Sequence, residues 1–263
     1  MQKRSEEPAP RRRISCVSYL NSIPFIYGLK NSGFLERSNT ELSLDIPSVC
    51  GIKMLNGVTD IGLLPSALLP KIPNGAIVSP YGIAAEGPVL SVMLFSNDPI
   101  ESVKKIVLDY QSRTSVLLAR ILAAGYWKIN PIWTEGKQGF ENSCGPGEAI
   151  LVIGDRALER TGKYSCTRDL SEDWFAFSGL PFIFALWVSG NKPEMEYLKN
   201  FNDALRSGLQ RIPELTSHYA HSGIPPALMK DYLENRIQYT LNERHMQGLE
   251  LFLKLVKEIP SEL

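Results

Sequence analysis

Residues 102–127 read SVKKIVLDYQSRTSVLLARILAAGYW. The first eight hold a short apolar run closed by Asp109, the length and composition of a buried strand. From Ser112 onward the apolar residues recur at helical spacing, so the stretch predicts strand, polar turn, then amphipathic helix. The same unit recurs on both sides. RISCVSYL (13–20) is strand-like and runs through NSIPF into a helix with Pro24 in its first turn. LSLDIPS (42–48) alternates at period two and leads to a helical VCGIKMLNG stopped at Gly57. TDIGLLPS (59–66), two stretches within 76–98, and EAILVIGDRALER (148–160) add further strands, the last turning through Gly154-Asp155 into a helix. LPFIFALWVSG (180–190) is another strand, MEYLKNFNDALRSGLQRI (195–212) a helix, and two more helices are predicted near 225–236 and 241–257. Alternating strands and helices with buried strands imply an α/β protein whose parallel sheets are flanked by helices. The path predicts a tail at 1–12, a first lobe from 13–95 plus 190–263, and a second from 96–189.

Composition narrows the function classes. The chain has 263 residues, and its 28 Lys and Arg balance 28 Asp and Glu, a net charge of zero. A nucleic-acid binder needs a cationic surplus to neutralise phosphates, and the one dense basic run is Arg11-Arg12-Arg13. No apolar run reaches the roughly 20 residues that span a bilayer, and the charged, Pro-containing first dozen do not make a secretory signal. A cytoplasmic protein without membrane association is the expectation. Cys16, Cys50, Cys144 and Cys166 are far apart with no C-x-x-C, so they predict buried or incidental thiols rather than a metal site. His218, His221 and His245 all fall near the C-terminus without zinc spacing, and no nucleotide or nucleophile-elbow motif occurs. No metal or cofactor is expected.

Ligands of open α/β sheets sit beyond the carboxyl ends of strands. That rule directs attention to Ser18–Ser22, Pro47-Ser48, Gly62–Ser66 and Asp109–Ser115. Ser112, Thr114 and Ser115 bunch where a helix begins, with Arg113 among them. Free amides at a helix start bind carboxylates, hydroxyls add donors, and arginine can grip an oxyanion. Plain N-capping explains the same residues with no ligand at all, as it does for Ser48. Trp174-Phe175-Ala176-Phe177 reads as packing.

Six strings, in order, carry a resemblance: SYLNSIPF (18–25), DIGLLPS (60–66), GPVLSVMLFS (87–96), VLDYQSRTSVLLARIL (107–122), LVIGDRAL (151–158) and GLPFIFALW (179–187). Together they resemble the menaquinone-biosynthesis chorismate dehydratases of the futalosine pathway. The resemblance implies a two-lobed fold like that of type II periplasmic binding proteins, with ligand in the cleft between lobes. It implies a small-molecule substrate, chorismate, dehydrated to 3-[(1-carboxyvinyl)oxy]benzoate by a carbon–oxygen lyase. Asn21 and Ser91 match residues of the reacting centre. Ser112, Arg113, Thr114 and Ser115 match a carboxylate cradle in the second lobe, and Ser48 a counterpart in the first. Ser22 stands where the family commonly has Thr, and Ala67-Leu68-Leu69-Pro70 departs from its usual acidic or aromatic pair. A sister enzyme making 1,4-dihydroxy-6-naphthoate would want a histidine base, and the chain has none before residue 218. A non-enzymatic carboxylate-binding protein is the other alternative. The oligomeric state is open.

Overall fold

The computed structural model describes residues 11–218 and 223–259. Most of the expected tail, and His221, lie outside the described residues, as does the side chain of His218. Eleven strands are described: β1 (Arg12–Val17), β2 (Thr40–Asp45), β3 (Ile61–Pro65), β4 (Ala76–Ala85), β5 (Val92–Ser96), β6 (Lys105–Leu108), β7 (Ile132–Glu135), β8 (Glu148–Ile153), β9 (Cys166–Asp169), β10 (Phe182–Ser189) and β11 (Gln238–Thr240). They form two sheets, ordered β11-β4-β10-β3-β1-β2 and β7-β6-β8-β5-β9. Arg12 already pairs with Thr40, so the first strand starts inside the span expected to be tail.

The sheets are mixed rather than parallel. β1 runs parallel to β2 and β3, and β6 parallel to β7 and β8, as strand–helix–strand units require. β10 lies antiparallel between β3 and β4, and β5 antiparallel to both β8 and β9. These reversals mark the strands by which the chain leaves one lobe and returns to the other. They also shift the boundaries expected at 95/96 and 189/190. β5 belongs wholly to the second sheet and β10 wholly to the first, so the chain crosses at 86–91 and again at 179–181. β7, β9 and β11, three or four residues each, escaped the sequence reading. The sequence expectation of packing for the 174–177 aromatics agrees with Trp174, which is fully buried with ring contacts to Phe177, Phe182 and Phe252. Those residues lie on a helix, Leu170–Ser178, that periodicity alone did not reveal.

Central strands are buried on both faces, β3 along its whole length and β8 from Ala149 to Ile153. The helix Ile23–Asn31, which follows the turn at Asn21, crosses Met195–Leu209 through facing glycines. A Cβ on Gly208 would stand 1.8 Å from the Pro24 carbonyl oxygen, and one on Gly28 2.1 Å from that of Ala204. Backbone on both sides leaves no flexible group to yield. Gly208→Ala is therefore expected to destabilise the fold by roughly 1–3 kcal/mol, the overpacking range, measured by urea unfolding. An unchanged midpoint would show that the two helices are free to separate.

Candidate active site

Between the sheets lies a cleft with ≈ 560 Å³ of empty space, its open mouth included. Strand ends build it: Val17 closes β1, Pro65 closes β3, and Ile153 with Gly154 ends β8. Helix starts supply most of the rest. Asn21 and Ser22 come from the turn before Ile23–Asn31, Pro47 opens Pro47–Leu55, and Ser112, Thr114 and Ser115 open Arg113–Leu122. Ser91 and Val92 enter from the crossing into β5, and Ile83, Phe184 and Ala185 form an apolar side. Among the described residues, none that lines the cleft carries a charge. Its polarity is hydroxyls, one carboxamide and helix amides, an arrangement suited to an anion.

Of the sequence candidates, Asn21, Ser91, Ser112, Thr114 and Ser115 meet at this cleft. Ser48 and Arg113 do not line it. Consecutive helical residues face different ways, so with Pro47 turned inward Ser48 is half-buried beside it. With 112, 114 and 115 inward, Arg113 is exposed and faces a separate groove with Lys71, Arg120 and Lys257. Capping and cleft lining coexist at Ser112: its Oγ accepts the Ser115 N–H at 3.1 Å, leaving the hydroxyl proton to donate. Thr114 Oγ1 accepts the Ala67 N–H at 3.2 Å. Beneath this turn, buried Asp109 accepts from Gln111 N–H at 2.9 Å, Ile153 N–H at 3.0 Å and the Arg156 guanidinium at 2.7 Å. Burial opposes the charge on Arg156, yet Asp109 and Glu141 raise its pKa above the ordinary value.

Tyr232 was missed by the sequence reading. It sits where the helix Pro226–Asp231 widens into a π turn, Tyr232–Arg236, and it is fully buried. Asn21 Nδ2 donates to its hydroxyl at 3.0 Å, and that hydroxyl donates to Ser91 Oγ at 2.8 Å. The chain of donors runs Asn21, Tyr232, Ser91, and the last retains its own proton for the cleft. Burial drives the Tyr232 pKa well up, so the phenol stays neutral. No local feature of LMKDYLENR marks this tyrosine; only the tertiary return of the C-terminal segment reveals it.

The lobes meet across the cleft. The Leu20 N–H donates to the Asp155 carboxylate at 3.0 Å, Tyr19 OH donates to Gln111 Oε1, and the Thr114–Ala67 bond spans the same gap. His245 is away from this site: it completes a capping box with Asn242 and contacts Gln238 at 2.7 Å. Burial lowers its pKa, keeping it neutral. Among the described residues no cluster of three or more His, Cys, Asp or Glu is placed to hold a metal, and no helix is long and apolar enough to cross a membrane.

The menaquinone biosynthesis family model matches residues 12–258. A curated relative, the chorismate dehydratase of Thermus thermophilus, is 28% identical over 258 residues, covering 89% of this chain and 91% of the relative. A crystal structure of a protein from Archaeoglobus fulgidus superposes with a TM-score of 0.73 at 14% identity, covering 95% of this chain and 98% of that one. The alkanesulfonate-binding protein of Xanthomonas axonopodis pv. citri, bound to MOPS, matches with a TM-score of 0.62 at 16% identity over 98% and 96%. The fold is thus the two-lobed periplasmic-binding-protein type.

Proposed function

The chain belongs to the menaquinone biosynthesis family, and from that premise we propose that it is an enzyme, a hydro-lyase that dehydrates chorismate to 3-[(1-carboxyvinyl)oxy]benzoate. The observation that carries this reading is the convergence of Asn21 and Ser91, joined from behind by the buried Tyr232 hydroxyl, at a cleft whose other side is a helix start. It is supported by the name of the Thermus relative.

The reaction fits a cleft without a charged base. The proton at ring C3 lies one double bond away from the ring carboxylate, so its removal spreads negative charge into that carboxylate. The substrate's enolpyruvyl carboxylate takes the proton, and as the C4–O bond breaks it hands that proton to the departing hydroxyl, which leaves as water. The ring becomes aromatic and no net acid or base is consumed. The protein's task is to hold the ring with fixed donors as charge develops. In this reading the hydroxyls of Ser112, Thr114 and Ser115, with the helix-start amides not used in capping, take a carboxylate, while Asn21 and Ser91 donate at the ring. Donors fixed where charge develops favour the transition state over the substrate. The absence of histidine from the described cleft wall favours this reading over the sister synthase, which would need a base. A cytoplasmic place for the enzyme is part of the same proposal.

The test is incubation of purified protein with chorismate, following appearance of the aromatic carboxyvinyl ether by ultraviolet absorbance and mass. Loss of one water from the substrate mass is the expected result. Chorismate recovered intact, but protecting the protein against heat, would instead identify a binding protein.

A further inference from the structure

Ser91 is held at the end of an awkward piece of backbone. Leu90, just before it, has φ +64°, in the left-handed region that residues with a Cβ rarely adopt. Leu90 is partly buried and packs against the core, so the conformation cannot be relaxed by swinging into solvent. What fixes it is a carboxylate from the neighbouring strand. Asp169, 5% exposed at the end of β9, accepts the Val89 N–H at 2.8 Å and the Leu90 N–H at 2.6 Å, both on Oδ2. Its Oδ1 accepts the N–H groups of Ser171 at 2.9 Å and Glu172 at 3.2 Å, capping the helix Leu170–Ser178. One buried carboxylate therefore clamps the lobe crossing to a helix start. On the far side of the crossing, the Ser91 carbonyl accepts the Gly154 N–H at 2.8 Å.

We propose that Asp169 is a positioning residue for Ser91: it holds Val89 and Leu90 in the backbone conformation that aims the Ser91 hydroxyl at Tyr232 and the cleft. This rests on the dehydratase reading for its catalytic consequence. A helix cap alone would need only Oδ1; the two bonds on Oδ2 serve the crossing and nothing in the helix. Burial raises the carboxyl pKa to about 6 while the four amides oppose the rise, so the group is ionised at neutral pH with its donors satisfied.

Asp169→Ser separates the two duties, because serine still caps a helix but is too short to reach Val89 and Leu90. The expected result is a fall in kcat of about thirtyfold with KM for chorismate within threefold, reading a loss of transition-state contact rather than of binding. Adding Leu90→Gly, which makes the left-handed backbone easy to adopt, is expected to restore kcat at least fivefold in the Asp169→Ser background. Amide hydrogen exchange at residues 89–91 reads the clamp without reference to any substrate and is expected to accelerate in Asp169→Ser. Wild-type kcat in Asp169→Ser, or no restoration by Leu90→Gly, overturns the positioning role; unchanged exchange at 89–91 overturns the clamp itself. Chorismate left intact by the wild type would sink the dehydratase reading and the catalytic consequence drawn from it, and the exchange result would still decide the clamp.

Discussion

Asn21→Ala is expected to lower kcat on chorismate by about 10²–10³-fold, the cost of removing one preorganised donor from a developing oxyanion site. Ser91→Ala should match it. Both side chains end on the Tyr232 hydroxyl, which accepts from one and donates to the other. Removing Asn21 takes away a donor and also leaves the phenol oxygen without that partner. Removing Ser91 deletes the group that carries the free proton into the cleft. Because the three residues act through one chain of hydrogen bonds, their effects should not add. The double variant should be little slower than either single one, and Tyr232→Phe should slow turnover by about tenfold by releasing both neighbours while leaving them present. Folding should be spared: Asn21 lies in a short turn, and Ser91 is held by its backbone. Steady-state kinetics with a circular-dichroism melt check both halves. Turnover of Asn21→Ala within threefold of wild type would remove the triad from the mechanism, as would simple multiplication of the two single effects.

The α/β alternation and the cleft-facing turns were legible in the sequence because they depend on local signals. A strand followed by Ser112, Thr114 and Ser115 and then an amphipathic helix can be read from periodicity, and the position of the turn at a strand's carboxyl end follows from the class of fold. Which of those residues points inward is less local, but helical geometry decides it once one member is placed: with Thr114 and Ser115 on the wall, Arg113 is outside. Tyr232 and Asp169 were not legible. Each acts across a long sequence separation, Tyr232 on Asn21 and Asp169 on Leu90, through contacts that only the packing of remote segments creates. The same limit explains the lobe boundaries. Hydrophobic runs locate β5 and β10, but they do not say to which sheet each run is hydrogen-bonded, and an antiparallel return leaves no mark in the apolar pattern. Asp155 sits in the turn that its place after a strand and a glycine predicts, and its carboxylate also receives the Leu20 N–H from the opposite lobe, a duty that no local signal marks.

That interlobe contact sets the second large effect. Gly154 has φ +65° and ψ −148°, a region essentially confined to glycine. A Cβ there would also stand 3.0–3.1 Å from three ring carbons of Tyr19. The ring can retreat only by moving Tyr19, whose hydroxyl is bonded to Gln111 and whose neighbour Leu20 is bonded to Asp155. Alternatively the Gly154 peptide can turn, at the expense of its 2.8 Å bond to the Ser91 carbonyl. Either response strikes the site: one opens the lobes, the other shifts the crossing that carries Ser91. Gly154→Ala is therefore expected to lower kcat/KM for chorismate by about a hundredfold, equivalent to about 2.7 kcal/mol at 1.36 kcal/mol per factor of ten, within the cost range of a strained backbone position. Closure also excludes water from a charge-developing reaction, so the loss should appear in kcat as well as KM. Small-angle scattering with substrate present should show a larger radius of gyration for the variant than for the wild type if the lobes part. If the peptide turns instead, the radius should match the wild type while kcat alone falls. Wild-type kinetics in Gly154→Ala would mean that the Tyr19 contact is dispensable, and that the cleft does its chemistry without the two lobes meeting at this point.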